Sequence, residues 1–190
     1  MSYQLKRALP EDYLRLYPLL TAVFPRGELK REPHIIAQLE RGLEEAWFLT
    51  DGERELGYAL IVRDDSVPYV LLDYLAMYEH NGGCGSACLE LLKQKYPQGI
   101  LAEVEADLPD LPEEERILRR RRFGFYRRAG FVPFAFENSI FTVEYLVHLW
   151  QGEGEYADAR SCAQALSDIY RLQLPQEIYD ARVFITVPEM

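Results

Sequence analysis

Tyr74-Leu75-Ala76-Met77-Tyr78-Glu79-His80-Asn81-Gly82-Gly83-Cys84-Gly85-Ser86-Ala87 joins an apolar segment to a helical one through glycines. The run from Tyr69 to Tyr78 carries little polarity, as a strand at the centre of a sheet does. Ser86–Tyr96 has helical character and is closed by Pro97 and Gly99. Glycine permits positive φ and close backbone approach, and the start of a helix presents unpaired N–H groups with partial positive charge. A phosphate binds such a turn without any basic side chain. The other reading is a tight strand-to-helix turn that needs glycine and holds nothing.

Outward from this turn, strands and helices alternate. Tyr3–Ala8 reads as a strand, Pro10 opens a helical pattern that ends near Phe24-Pro25-Arg26-Gly27, and Glu32–Glu45 reads as a second helix. Ala46–Thr50 and Glu55–Arg63, joined by Asp51-Gly52-Glu53, read as a hairpin. Downstream come a strand at Ile100–Glu105 and a charged helix over about Glu113–Ala129, with Gly130 where a helix-ending residue belongs. Strands at Phe131–Phe136 and Ile140–Trp150 follow, then a helix near Ala157–Leu172 and a strand near Ala181–Val187. This order predicts a mixed α/β (α+β) fold with a mostly antiparallel central sheet flanked by helices. The boundaries expected are a main domain over residues 1–150 and a helix–strand extension over 151–190 packed on it. Gly152–Glu155 is the one weak candidate for a boundary.

The chain has 190 residues, 48% of them hydrophobic, which suffices for a core and excludes wholesale disorder. No apolar run approaches the ~18–20 residues of a membrane span, and the first residues lack the layout of a signal peptide. Cys84, Cys88 and Cys162 form no CxxC pair, which points to a reducing, cytoplasmic compartment rather than a disulfide framework. His34, His80 and His148 are too scattered for a metal site, so no metal is expected. With 21 basic and 31 acidic residues the net charge is −10, unfavourable for nucleic acid or an anionic membrane and suited to a cationic substrate, or to solubility alone.

Gly83-Cys84-Gly85 also opens a G-x-G-x-x-C string, with Glu103 and Glu105 about 20 residues further on, which imitates a dinucleotide fingerprint. Against that reading, Cys88 stands where the third glycine belongs, and an antiparallel hairpin lies upstream instead of a parallel βαβ run.

His80-Asn81-Gly82-Gly83-Cys84-Gly85-Ser86-Ala87 resembles the R/Q-x-x-G-x-G/A motif of the GNAT superfamily, the acyl-CoA-dependent N-acyltransferases. Phe125-Tyr126-Arg127-Arg128-Ala129-Gly130-Phe131 resembles that family's F/L-Y-x-x-x-G-F signature, and the order of elements from Tyr3 to about Trp150 is similar too. The resemblance implies a direct, ternary-complex transfer of an acetyl group from acetyl-CoA to a primary amine on a small molecule or peptide. It implies that the backbone around Asn81, Gly82, Gly83, Cys84, Gly85 and Ser86 holds the coenzyme pyrophosphate. Leu75, Ala76 and Met77 would pair with the pantetheine arm, and Tyr126 would protonate the departing thiolate. His80 departs from the Arg or Gln of the motif, and the turn before it is shorter than is common. The same resemblance accommodates a non-catalytic sensor that binds an acyl-CoA and a protein partner.

A lysine-like amine has a pKa of ~10.4 and must lose a proton before it attacks. Asp73, Glu103 and Glu105 are the carboxylates within apolar strands that offer themselves as bases, Glu103 and Asp73 ahead of Glu105. Each reads equally as an ion-paired strand residue. Alternation places Asp73 on one face with Leu75 and Met77. A phenol near pKa 10 that protonates a thiolate near 8.5 works uphill by about 2 kcal/mol, so Tyr126 needs prompt reprotonation or an environment that acidifies it. Its other reading is a core tyrosine on an apolar stripe with Ile117, Leu118 and Phe125. The arginines from Arg116 to Arg128 read as a solvated helix face paired with Glu113–Glu115, or as phosphate contacts. The terminal helix and strand are expected to cover a sheet edge or build a homodimer interface.

Overall fold

In the computed structural model, residues 2–52, 54–79, 82–153 and 157–188 are described. His80, Asn81, Glu53 and the end of the 152–155 boundary candidate lie outside them. The fold is mixed α/β with mostly antiparallel strands, as the element order predicts, and the described residues form six α-helices. No helix among the described residues is long and apolar enough to cross a membrane. The chain divides into two compact units, Met1–Asp65 with Leu72–Lys95, and Ser66–Leu71 with Tyr96–Met190.

The first unit holds β1 (Gln4–Arg7), α1 (Tyr13–Val23), α2 (Glu32–Glu40), β2 (Glu44–Asp51), β3 (Arg54–Val62), most of β4 (Val70–Met77) and α3 (Cys84–Lys95). β1 runs antiparallel to β2 and β2 to β3, with Glu44 opposite Val62 and Asp51 opposite Arg54 across the hairpin. The N–H of Tyr78 donates to the carbonyl of Leu56 at 2.9 Å, which fixes the end of β4 on β3. The two strands approach so closely that a Cβ at Gly57 would lie 2.3 Å from the carbonyl oxygen of Ala76. Ala46, Phe48, Tyr58, Leu60, Tyr74 and Ala76 form one face, buried against Leu16 and Leu20 of α1 and Ile35 and Leu39 of α2. Trp47, pointing the other way by strand alternation, receives Lys95 of α3 over its ring at 4.0 Å.

The second unit is built on β8 (Val143–Trp150). That strand pairs antiparallel with β5 (Ile100–Glu105), β6 (Val132–Phe134) and β7 (Asn138–Ile140). α4 (Glu113–Arg128) precedes β6; α5 (Ala159–Gln173) and α6 (Gln176–Arg182) lead to β9 (Val183–Ile185), which closes on β7.

Three of the differences from the expected elements have a clear local reason. The second helix stops at Glu40 rather than Glu45, because Gly42 turns at φ +72° and the Leu43 N–H reaches back to the carbonyl of Gln38 at 3.0 Å; Glu44 thereby starts a strand. The single strand expected over Ile140–Trp150 is a hairpin, with Phe141 and Thr142 both at positive φ (49° and 77°) between β7 and β8. Such turns normally announce themselves as Asn-Gly or Asp-Gly, and neither is present. α6 was not anticipated; Pro175 at its N-cap and Glu177 in its first turn are the local signals for it.

Candidate active site

The glycine turn does what its composition predicts. Gly83 sits at φ +76°, its carbonyl accepts the Ala87 N–H at 3.0 Å, and α3 starts at Cys84. Gly82, Gly83 and Ser86 are exposed, and a side chain at Gly82 or Gly83 would project into space that is otherwise open or nearly so. The first N–H groups of α3 lack intrahelical partners. A cavity of about 180 Å³ adjoins the turn, lined by residues that include Tyr3, Arg54, Tyr78, Gly82 and Cys84. Three acidic residues also line it. Asp51 is paired with Arg54 at 3.0 Å and Glu55 with Arg15 at 2.7 Å, which holds the Glu55 carboxyl below its usual range. The turn therefore fits a phosphate group through its backbone. Asn81, also expected there, lies outside the described residues. Leu75 and Met77 are half-buried and Ala76 is buried along the end of β4.

Asp73 is not solitary. Its Oδ2 accepts from Lys30 Nζ at 2.8 Å, and Lys30 Nζ lies 3.9 Å from Glu44 Oε1. The hydroxyl of the next residue, Tyr74, accepts the Lys30 N–H at 3.1 Å and donates to the carbonyl of Glu28 at 3.0 Å. Consecutive residues of β4 thus meet the same α1–α2 connection, which strict alternation does not predict. Complete burial pushes the Glu44 carboxyl well above its usual range, with the charge of Asp73 adding to it and Lys30 opposing.

In the second unit, Tyr126 lies in the last turn of α4. Gly130 follows at φ +82°, its N–H bonded to the carbonyl of Arg127, and the Phe131 N–H returns to the carbonyl of Tyr126 at 3.1 Å. This Schellman cap lays the Phe131 ring 5.3 Å from that of Tyr126. The Tyr126 ring also stands 6.0 Å from the imidazole of His148, a fully buried residue of β8. His148 Nδ1 lies 2.9 Å from the carbonyl of Leu146, the arrangement of a neutral ring that donates there, and burial depresses its pKa.

Glu103 Oε2 accepts from the hydroxyl of Tyr170, on α5, at 2.7 Å. Glu103 is thereby bonded to α5, whereas His148, opposite its neighbour Ala102 in the β5–β8 pair, meets Phe123 and Tyr126 of α4. Glu105 is tied to α4 by Arg119 at 3.4 Å and by Arg122. Most arginines of α4 are engaged in the same way, Arg116 with Asp107 and Arg120 with Glu113, the ion-paired reading of that run. Among the described residues no group of acidic, histidine and cysteine side chains has the arrangement of a metal site. Lys30, Glu44 and Tyr170 carry no role in the sequence reading, and His148 is weighed there only as a metal ligand. Only Glu44, an acid at the head of an apolar strand, carries a visible signal.

No family model matches the chain, and no curated protein matches it. Solved structures do. A protein described as an acetyltransferase of the GNAT family from Bacteroides thetaiotaomicron is 22% identical, with a TM-score of 0.64 over 80% of this chain and 88% of that one. NAA60 of Arabidopsis thaliana, in complex with a bisubstrate analogue, is 14% identical with a TM-score of 0.60 over 81% of this chain and all of its own. The ribosomal-protein-S18-alanine N-acetyltransferase of Escherichia coli is 15% identical, with a TM-score of 0.57 over 82% of this chain and 100% of that one. These likenesses show that the chain has the GNAT fold.

Proposed function

We propose that this protein is a cytoplasmic N-acetyltransferase that uses acetyl-CoA and transfers the acetyl group directly to a primary amine. The observation that carries the reading is the glycine turn: a positive-φ glycine, an exposed helix start and an adjoining cavity within the GNAT fold. Solved neighbours support the choice of ligand and acceptor, since one is a complex with acetyl-CoA and others are named for acetylating ribosomal proteins.

Backbone N–H groups from Gly82 to Ser86 would hold the pyrophosphate, and the end of β4 at Leu75–Met77 would hold the pantetheine arm. Bound there, acetyl-CoA supplies an activated thioester. Tyr126, fixed by the Gly130–Phe131 cap, would give a proton to the leaving sulfur. Glu103 is the preferred base, because the Asp73 charge is already compensated by Lys30. Tyr170 holds one oxygen of Glu103 and so orients the carboxylate. A carboxylate is a weak base for an ammonium, so a relay through water to Glu103 suits the chemistry better than direct abstraction.

The test is a thermal-shift comparison of acetyl-CoA with NAD, followed by acceptor-dependent release of thiol from acetyl-CoA. At 100 times its dissociation constant a ligand adds ~2.7 kcal/mol, or roughly 5–10 °C here. A shift with NAD alone would sink the reading. Tyr126→Phe should lower turnover at least ~100-fold while the acetyl-CoA shift persists. Unchanged turnover in that variant would remove the acid role.

A further inference from the structure

The Lys30 ammonium is held by groups that would hold any primary alkylammonium. Asp73 Oδ2 stands 2.8 Å from Nζ, Glu44 Oε1 3.9 Å from it, and the Tyr74 ring centroid 6.0 Å from it. His34 flanks the group from α2, where its pKa is depressed by burial and by the nearby Lys30 charge. Two carboxyl groups meet here over one ammonium. The Glu44 side chain is wholly buried, and its carboxyl, 3.9 Å from the Lys30 ammonium, shares a hydrogen bond with that of Asp73. Burial favours the neutral form of Glu44, so the charge that meets the ammonium is that of Asp73, with Glu44 completing the polar wall beside it. Lys30 is the most exposed charged member of the group. Its side chain is 15% exposed against 7% for Asp73, and it hangs by a flexible stem from the connection between α1 and α2.

We propose that Asp73, Glu44 and Tyr74 form a binding site for a primary alkylammonium, in which Lys30 is a tethered stand-in that the acceptor amine displaces. The choice of ligand rests on the geometry of the resident ammonium; its role as acceptor rests on the acetyl-transfer reading above. A lysine-like amine has a pKa of ~10.4 and arrives as a cation, which the Asp73 carboxylate is placed to receive. Displaced, the Lys30 stem swings into solvent while its place is taken by a chain of the same length and charge.

Lys30→Ala removes Cγ through Nζ, the outline of propylammonium. In that variant propylammonium at ten times its dissociation constant should raise the melting midpoint by about 3–5 °C. Tetramethylammonium at the same concentration and 1-butanol should not, nor should propylammonium stabilise Lys30→Met, where the stem is refilled without charge. If Lys30→Ala does not fold alone, the same comparison is read as recovery of folded protein on refolding with each additive. Absence of a propylammonium-specific effect overturns the site. In the thiol-release assay Lys30→Ala should lower KM for short alkylamines about fivefold or more with kcat retained. An unchanged KM overturns the acceptor role. Absence of turnover in every variant, wild type included, refutes acetyl transfer, while the stability measurements still decide the ammonium site.

Discussion

Gly57→Ala puts the close approach of β3 and β4 to a quantitative test. The added Cβ would stand 2.3 Å from the carbonyl oxygen of Ala76 and 2.6 Å from the Cε of Met77. The methionine end can rotate away, but the carbonyl is backbone. Cβ contacts under 3.0 Å are essentially never seen, so β4 must retreat by at least about 0.7 Å at Ala76. That retreat strains the Tyr78-to-Leu56 bond next to it. Overpacking of this kind costs ~1–3 kcal/mol. At ~2–4 °C per kcal/mol for a chain of this size, the melting midpoint should fall by roughly 2–12 °C. Gly52→Ala is the control: nothing lies within 4 Å of its Cβ, and only its φ of +79° is penalised, by about 1 kcal/mol. Urea and thermal melts of both variants, with and without acetyl-CoA, make the comparison. Gly57→Ala should also lose part of its acetyl-CoA shift, because the displaced residues are those assigned to the pantetheine arm. A Gly57→Ala protein that melts within a degree of wild type would refute the reasoning.

Three further outcomes are expected. Thr142→Gly should stabilise the protein by about 1 kcal/mol in urea melts, because a β-branched residue at φ +77° is strained and glycine is not. His148 and His34 are held neutral by burial, so the unfolded chain takes up protons below about pH 6.5 that the folded chain refuses. The melting midpoint should therefore be level above that pH and fall below it, and His148→Gln should flatten the slope. Glu44 has the opposite sign: its raised pKa gives stability that is full below about pH 4.5 and lost as pH rises through the folded value. Glu44→Gln should accordingly melt higher than wild type at pH 8, with the gain shrinking at pH 5; a gain independent of pH would contradict the buried neutral acid.

Local chemistry decides how much of this was legible from residues alone. The strand, glycines and helix from Tyr69 to Tyr96 were readable because glycine's positive φ at Gly83 and a strand's apolarity are properties of single residues and short runs. So was the Tyr126 environment, because Gly130 and Phe131 act on it within one helical turn. Lys30, Glu44 and Asp73 were not readable together, since they come from a connection and two strands that only the folded sheet brings within 4 Å. Tyr170 was hidden for the same reason, its hydroxyl meeting Glu103 across 67 residues of sequence. The hairpin at Phe141-Thr142 was invisible in another way: its residues contradict the preference of the turn they make.

The closure of β7 by β9 has a consequence for how the chain is made. On the edge away from β8, Ile140 finds its partner only when Val183 has been synthesised. At ~5–20 residues per second, the β7 edge waits on the order of two to nine seconds on the ribosome. During that interval an unpaired strand edge carrying Ile140 and Phe141 stands open to neighbouring nascent chains. Slow decoding between Ile140 and Val183 would lengthen the exposure, and the yield of soluble protein should respond to synonymous changes in that stretch although the finished molecule is identical.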